Sequence, residues 1–188
     1  MGVSTRVTYS DLLRAGPQPM REERYEILDG ELYVVPAPDY DHQSCVQNLY
    51  VLLHPVARRL KGKLIIAPFD VVLHETDYVQ PDLVYVRRDN PAFTRRGIQG
   101  APDLVIEVLS PSTRDKDLTL KRKRYEKRGV RELWYVDPRA WTVEVLVRGE
   151  KSYRQVGEFT GKNSIPSTVL GQLRFPVEKI FEGVGEYD

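Results

Sequence analysis

The sequence predicts a mixed α/β fold, and three observations support this prediction. Residues 41–61 carry apolar side chains at helical spacing. Residues 64–110 contain three apolar runs rich in β-branched side chains, which favour strands. Residues 113–130 return to a helical pattern before two further strand-like runs. The order helix, three strands, helix and strand is typical of a mixed α/β core.

The length of the chain favours one domain. Its 188 residues leave room for one hydrophobic core, but not for two of ordinary size. We therefore expect a single domain over residues 1–188, with its core at about 25–147 and a C-terminal extension at about 148–188. The first hairpin and the last strands are expected as additions to this core.

A short helix and a hairpin are predicted first. Thr8 followed by Asp11 has the spacing of a capped helix start, and Gly16 and Pro17 would end this helix. In "RYEILDGELYVVPAP" the pair Asp29–Gly30 predicts a tight turn between two short strands.

A long helix is predicted between Asp41 and Lys61. Its apolar residues fall on one face and are Cys45, Leu49, Leu52, Val56 and Leu60. We expect Asp41 to cap the helix, Pro55 to kink it and Gly62 to end it.

Five strands and a third helix are predicted after this point. The strands are "LIIAPFDVVLHE", "YVQPDLVYVR", "PDLVIEVLS", "RELWYVD" and "TVEVLVR". The helix, "TRDKDLTLKRKRYEKRGV", precedes the last two strands and ends at Gly129. The tail from about Arg148 onward contains one more apolar stretch, "LRFPVEKIF".

Positive and negative charges nearly balance, so net charge predicts no polyanionic partner. The chain has 28 Lys and Arg against 27 Asp and Glu. Basic residues nevertheless cluster locally, and the clusters contain Arg87, Arg88, Arg95, Arg96, Arg122, Lys123 and Arg124. Such clusters form either a contact surface for a polyanion or an ordinary solvated face.

Cysteine use and hydropathy indicate the compartment. A single cysteine excludes an intrachain disulfide and fits a reducing environment. The chain start lacks the apolar segment of a signal peptide, and no apolar run approaches the roughly 20 residues that cross a bilayer. We expect a soluble cytoplasmic protein without a membrane partner.

Glu107 is the most informative residue of the sequence. It interrupts the run "LVIEVL", and so continuous an apolar run predicts a strand that is covered on both faces. An ionised carboxylate in that position costs several kcal/mol unless a partner receives it. The partner is either a Lys or Arg in a structural ion pair or a divalent metal.

Asp82 supports the metal. It follows Pro81 at the start of a second apolar strand, and two carboxylates on neighbouring strands can hold one hard cation together with waters. A turn-forming aspartate is the alternative. Asp103 repeats the "PDLV" context of Asp82, but its place beside Pro102 at the strand entry is explained by a turn role, so we interpret it as structural.

Lys121 is the predicted cationic member of the site. At 100° per residue it shares a helix face with Leu118 and Tyr125, whereas Lys123 points almost the opposite way. A lysine on the inward face needs an anion, either Glu107 or a phosphate bound beside it. A purely structural ion pair with Glu107 is the alternative.

These residues resemble the PD-(D/E)XK nuclease superfamily and, more narrowly, the Uma-type family of restriction endonucleases. The matching pieces are "YEILDGELYVV", His42, "VVLHETDYVQPDLVYV", "GAPDLVIEVLSPSTRDKDLTLKRKRYEKRGV" and "ELWYVDP". They extend from about Tyr25 to Pro138. The resemblance implies a restriction-endonuclease-like fold, in which helices flank a central mixed sheet.

The resemblance also implies roles for individual residues. Asp82 and Glu107 would be magnesium ligands. The superfamily's lysine, two residues after the second acid, is replaced here by Leu109, and the Uma-type pattern supplies Lys121 from the following helix instead. Glu31 and His42 would also lie near the site, with a hairpin surface acid and a helix-start residue as their alternatives.

The leading functional hypothesis is an endonuclease that hydrolyses phosphodiester bonds in DNA by attack of a metal-activated water, with Mg²⁺ or Mn²⁺ as cofactor. The basic clusters would then follow the DNA backbone. The alternative is a non-catalytic nucleic-acid-binding or assembly module on a nuclease scaffold. Because cutting both strands of a duplex requires two sites, a homodimer or higher homo-oligomer is a further expectation.

Overall fold

Two six-stranded sheets and a two-stranded hairpin contain the strands of the described residues. The computed structural model describes residues 6–15 and 24–186. The first sheet contains, in spatial order, β2 (Glu31–Val35), β1 (Arg24–Leu28), β5 (Asp77–Val79), β4 (Val71–His74), β8 (Gly97–Gln99) and β7 (Phe93–Thr94). The second contains β12 (Tyr153–Thr160), β11 (Thr142–Arg148), β10 (Glu132–Asp137), β9 (Leu104–Val108), β6 (Leu83–Val86) and β3 (Lys63–Ile66). The hairpin pairs β13 (Ser164–Ser167) with β14 (Gly171–Pro176).

The helices are few and unequal in length. They are α1 (Tyr9–Ala15), α2 (Tyr40–Arg59), α3 (Arg114–Lys116) and α4 (Arg122–Arg128), with a π-helical turn, Asp117–Lys121, joining α3 to α4, and a 3₁₀ helix at Val177–Phe181. Within residues 6–15 and 24–186, no helix is both long and apolar enough to cross a membrane. The mixed α/β prediction is confirmed, with two large sheets in place of one.

Both large sheets are mixed. In the second sheet β9 and β10 are parallel, whereas the other strand pairs are antiparallel. In the first sheet only β4 and β8 run parallel. Every residue of β9 and of β10 is buried, as the uninterrupted apolar run of β9 predicts.

Two of the predicted strands are broken by proline. "LIIAPFDVVLHE" divides into β3 and β4, and "YVQPDLVYVR" divides into β5 and β6. In each case the two halves belong to different sheets. Pro68 and Pro81 lack the backbone N–H that a central strand needs, so the ladder ends beside them and the chain crosses from one sheet to the other.

The N-cap of the long helix α2 lies two residues before its predicted position. Asp39, not Asp41, is the N-cap, and its side chain accepts a hydrogen bond of 2.9 Å from the backbone N–H of His42. Asp41 instead accepts from the backbone N–H of Gly185 near the C-terminus. The helix continues through Pro55 to Arg59.

The two N-terminal elements agree with their predicted starts and turns. Thr8 and Asp11 exchange side-chain to backbone hydrogen bonds at the start of α1. Asp29 and Gly30 both have positive φ, as a tight hairpin turn requires. The predicted helix end at Gly16 and Pro17 lies outside the described residues.

The segment after residue 148, predicted as an extension, contributes to the hydrophobic core. β12 lies at the edge of the second sheet, and the 3₁₀ helix packs on α2. Asn48 of α2 donates hydrogen bonds to the carbonyl groups of Ile180 and Glu182. Ile165 and Leu173 are each 1 % exposed and belong to the same apolar cluster as α2. The tail therefore covers α2.

Candidate active site

The orientation of Glu107 follows from the alternation of side chains along β9. Leu104, Ile106 and Val108 pack in the cluster that contains α2. Val105 packs on the other side of the sheet, in the cluster that contains Tyr125 of α4. Glu107 shares that second face because successive strand residues point to opposite faces. It therefore points toward the helix that carries Lys121.

Asp82 lies beside Glu107 across the strand pair. β6 and β9 are antiparallel, and Leu83 pairs with Ile106, so Asp82 is opposite Glu107. One Asp82 oxygen, Oδ2, accepts a hydrogen bond of 2.8 Å from the backbone N–H of Val108. Both acids line one small pocket with a volume of about 40 Å³. The structure thus brings the two predicted metal ligands together next to Pro81, where the chain passes from the first sheet to the second.

Lys121 enters the same pocket from the π-helical turn. Its side chain is only 6 % exposed, and its Nζ lies 3.1 Å from Oε1 of Glu107 and 2.9 Å from Oε1 of Glu26. A third carboxylate, that of Asp117, lies 3.2 Å from the same nitrogen. The lysine predicted from helical phase is therefore buried among three acids.

Burial and the excess of carboxylates over ammonium groups set the charge states in this cluster. The pKa of Glu107 is raised to about 8, mainly by burial; Lys121 opposes this shift, and the neighbouring carboxylates add to it. Burial also acts to lower the pKa of Lys121, but Glu107 and the other acids outweigh it and hold that pKa well above its usual range. Lys121 is therefore a permanent cation, and Glu107 is the group that holds a proton near neutral pH.

Glu26 of β1 is a member of the site that the sequence analysis did not identify. Its residue surface is fully buried, and its Oε2 lies 3.4 Å from Nζ of Lys116. Burial acts to raise the pKa of Glu26, but Lys121 and Lys116 outweigh it and lower that pKa below its usual range. The available signal was local, since Glu26 in "RYEIL" adjoins apolar residues as Glu107 does in "LVIEVL".

Asp117 is the second residue that was missed. It is 3 % exposed, and its Oδ2 accepts a hydrogen bond of 2.7 Å from the hydroxyl of Thr113. Among the described residues, nothing donates a hydrogen bond to its Oδ1 or to Oε2 of Glu26, although each lies near a lysine. Asp117 stands four residues before Lys121 in a segment rich in Lys and Arg, and this sequence context did not indicate that its side chain points inward.

His42 lines the pocket, whereas Glu31 does not. His42 is buried at the start of α2, and its Nε2 lies 3.2 Å from Oδ2 of Asp82. Glu31 is exposed on β2 and does not line the pocket; the Tyr33 hydroxyl donates to its Oε2 over 2.7 Å. Nζ of Lys116 lies 5.6 Å from the centre of the Tyr33 ring, which gives Glu31 an indirect link to the site. The structure brings His42 to the pocket and leaves Glu31 outside it.

The predicted backbone-binding residues are not gathered around the pocket. Arg87 pairs with Asp89 and Asp103, and Arg124 pairs with Asp29 and Asp77. Of the other predicted backbone-binding residues, Arg122 is half-buried and the exposed ones are Arg88, Arg95, Arg96 and Lys123. Arg87 and Arg88 follow β6, whereas the pocket lies before it, so the strand separates them from Asp82.

Asp103, interpreted as structural, has structural contacts. It is 2 % exposed and accepts hydrogen bonds from the backbone N–H of Arg87 and from Nδ2 of Asn90. Arg131 also pairs with it. These contacts join the entry of β9 to the loop after β6, at the opposite end of the strand from Glu107.

The charges of the pocket fit a divalent cation. The carboxylates that line or border it belong to Glu26, Asp82, Glu107 and Asp117, and the ammonium groups to Lys116 and Lys121. When Glu107 has released its proton and all six groups are ionised, four negative and two positive charges leave an excess of two negative charges, which balances the charge of one Mg²⁺. In the described part of the chain no group of three or more His, Cys, Asp and Glu side chains is arranged as a metal site. Asp82 and Glu107 would therefore hold such an ion together with waters, which is the usual mode for Mg²⁺.

The fold and the site together define a restriction-endonuclease-like α/β protein, in which two strands supply an acid pair and the following helix supplies the lysine. The chain belongs to the Uma2 family, described as "Putative restriction endonuclease", whose sequence pattern matches residues 10–178. This membership confirms the resemblance to the Uma-type family.

A solved structure has the same fold. It is the crystal structure of "a putative nuclease belonging to DUF820" from Anabaena variabilis, with a TM-score of 0.75 and 20 % sequence identity. The likeness covers 94 % of this chain and 98 % of that one. At this identity the likeness shows a shared fold. None of the curated proteins compared with the chain matches it.

Proposed function

We propose that the protein is a divalent-metal-dependent endonuclease that hydrolyses phosphodiester bonds in DNA. The observation that carries the proposal is the set of Asp82, Glu107 and Lys121, which line one pocket and of which Glu107 and Lys121 are buried. Membership in a family described as restriction endonucleases supports the same chemistry. The fold shared with a protein described as a nuclease is consistent with it.

The two acids would hold the cation and leave room for the reacting groups. Mg²⁺ or Mn²⁺ bound there would supply Lewis-acid activation of a water and neutralise charge on the phosphate. His42 fixes one oxygen of Asp82, and the backbone N–H of Val108 fixes the same oxygen. These contacts hold the Asp82 carboxylate in one orientation before substrate arrives.

Lys121 would act as a donor. Because the surrounding acids keep its pKa well above the usual range, the ammonium stays protonated and does not accept the proton of the attacking water. It would instead orient that water and stabilise the negative charge that develops on the phosphate oxygens. This favours orientation over deprotonation as its role.

The DNA backbone would approach the mouth of the pocket. A volume of about 40 Å³ holds a water or an ion, so the phosphate must reach the acids from outside. Lys123 is exposed on α4 and points almost opposite to Lys121, so it would contact a phosphate farther along the backbone from the one at the pocket. Replacing Lys123 by alanine should weaken binding of unrelated DNA sequences equally and reduce the salt dependence by about one phosphate contact.

Cleavage of supercoiled plasmid tests the proposal. Nicking by the wild type should require Mg²⁺ or Mn²⁺ and stop in EDTA, and Glu107→Gln and Lys121→Met should each lower the rate at least about 100-fold. The matched controls are Glu158→Gln and Lys127→Met, which change exposed side chains and should cleave normally. Full activity in both site variants would refute the assignment. DNA binding without cleavage, and without metal binding in calorimetry, would favour the non-catalytic alternative.

A further inference from the structure

A second, larger cavity lies next to the candidate active site. Its volume is about 570 Å³, within the range of about 300–1,000 Å³ that is usual for small-molecule pockets. Leu109 and Pro111 line it, whereas Ser110 between them lines the active-site pocket. Asp41 lines it as well, directly before His42 of the active-site pocket. The two spaces therefore share walls on two elements of the fold, one residue apart along the chain.

Trp141 is the main apolar group of this cavity. It is 46 % exposed although it is a large aromatic side chain, and it lines the cavity. Its ring stacks on that of Phe181, with 5.9 Å between ring centroids and 15° between planes. Phe181 is only 1 % exposed, so the platform under Trp141 belongs to the core. A supported, half-open indole is the group on which nucleic-acid-binding proteins stack bases.

The backbone of Trp141 is strained. Its φ of 55° lies in the left-handed region, which bulky side chains rarely adopt. The turn before it is fixed by Asp137, whose Oδ1 accepts hydrogen bonds from the backbone N–H groups of Arg139 and Ala140. Arg114, next to the pocket residue Thr113, pairs with the same carboxylate. These contacts fix the backbone of the turn, and stacking on Phe181 supports the indole.

The polar groups of the cavity favour a base over a phosphate. Asp39 and Asp41 form one wall and would repel a phosphate, but their oxygens can accept hydrogen bonds from the amino groups of a base. Arg139 also lines the cavity and is exposed, and its guanidinium can stack or donate hydrogen bonds. Stacking and carboxylate acceptors together suit a nucleobase whose backbone stays outside.

We propose that this cavity binds one unpaired nucleobase of the nucleic acid, next to the phosphate at the active site, by stacking on Trp141. The proposal rests on the proposed function, because it takes the nucleic acid as the substrate of the neighbouring pocket. It predicts a preference for single-stranded or locally opened DNA over a continuous duplex, because a paired base is not free to enter the cavity.

The test measures binding of a short fluorescein-labelled single-stranded DNA by anisotropy, in EDTA so that cleavage does not occur. Trp141→Gly removes the ring at a position where glycine adopts the backbone conformation without strain, and should bind about 5-fold to 100-fold more weakly than the wild type. Trp141→Phe keeps an aromatic ring and should retain most of the affinity. Exposed Val51→Ala, on α2, serves as the control for a lost apolar side chain.

An abasic nucleotide moved along the oligonucleotide separates stacking from other losses. In the wild type, one abasic position should weaken binding by a factor similar to that of Trp141→Gly, and in that variant the same change should cost little more. A wild type insensitive to every abasic position, or independent losses from base and ring, would overturn the proposal. Plasmid cleavage that is normal in Trp141→Gly, with unchanged binding, would reject the base site and leave the nuclease assignment standing. Base binding by a wild-type protein that never cleaves would support the base site and reject the nuclease assignment.

Discussion

The ammonium nitrogen of Lys121 lies 3.1 Å from Oε1 of Glu107, the same oxygen that the Tyr125 hydroxyl contacts. One carboxylate oxygen thus receives two donors from one helical segment. A buried glutamate in the middle of a sheet is stable only with such partners. These contacts link the segment that carries Lys121 and Tyr125 to β9 of the second sheet at the proposed active site.

Removal of the Lys121 charge should destabilise the fold. Lys121→Met would leave three buried carboxylates without their shared cation, and breaking a buried ion pair in this way costs about 3–5 kcal/mol. Urea unfolding should show this loss. Lys127→Met, an exposed change on the same helix, should stay within about 0.5 kcal/mol of the wild type. Equal midpoints for both variants would contradict the ion-pair account.

The two acids of the N-terminal hairpin should behave differently. Glu26→Gln removes a buried charge that contacts Lys121 and Lys116, and should lower both the cleavage rate and the free energy of unfolding, the latter by about 1–3 kcal/mol. Glu31→Gln changes an exposed side chain and should leave stability within about 0.5 kcal/mol. A larger loss of cleavage in Glu31→Gln than in Glu26→Gln would restore Glu31 to the site.

The repeated "PDLV" offers an internal comparison. Asp82→Asn should abolish metal-dependent cleavage, because the amide loses the negative charge that would hold the cation. Asp103→Asn should cost about 1–3 kcal/mol of stability through its contacts with Arg87 and Asn90, while the folded fraction cleaves normally. Comparison of cleavage rates with thermal melts separates the two effects. Loss of cleavage in fully folded Asp103→Asn protein would show that the two roles are misassigned.

The raised pKa of Glu107 gives a pH dependence of defined sign. The pKa of Glu107 is about 8 in the folded protein, against an ordinary value of 4.5. Between these two pH values the metal-free folded state therefore binds more protons than the unfolded state does. As a result, the free energy of unfolding falls as the pH rises through that window. Mg²⁺ competes with the same proton, so the increase in Tm that Mg²⁺ produces should grow from about pH 6 to about pH 9.

Glu107→Gln is the control for this experiment. It cannot take up the proton, so its melting temperature should lack that pH dependence, and Mg²⁺ should raise it little at any pH. A Mg²⁺ effect in the wild type that is the same at all pH values would show that Glu107 does not exchange a proton for the metal.

Local sequence patterns were sufficient to predict that Glu107 is buried with a charged partner and that Lys121 points inward. An acid inside an apolar strand must have a partner, and helical phase placed Lys121 on the inward face. The spacing of 100° per residue applies to a regular α-helix, whereas Asp117–Lys121 forms a π-helical turn. Lys121 and Tyr125 remain one turn apart and both reach Glu107, so the departure did not change the result.

Contacts between distant elements could not be predicted. Glu26 reaches Lys121 only because the first sheet packs beside the second, and that packing depends on the chain crossing between sheets at Pro68 and Pro81. A single sequence shows each apolar run but not the sheet to which it belongs. The same reason explains Arg124, whose basic neighbourhood suggested a DNA contact but whose partners are Asp29 and Asp77 of the first sheet and its turn.

A crystal structure of the protein soaked with Mn²⁺ would show whether Asp82 and Glu107 bind a metal ion, because the anomalous signal identifies the ion. We expect one manganese peak within coordination distance of Asp82 and Glu107, with the Lys121 ammonium beside it, and no peak in Glu107→Gln crystals. A fully occupied peak elsewhere, or an unoccupied pocket at a manganese concentration that supports cleavage, would contradict this expectation.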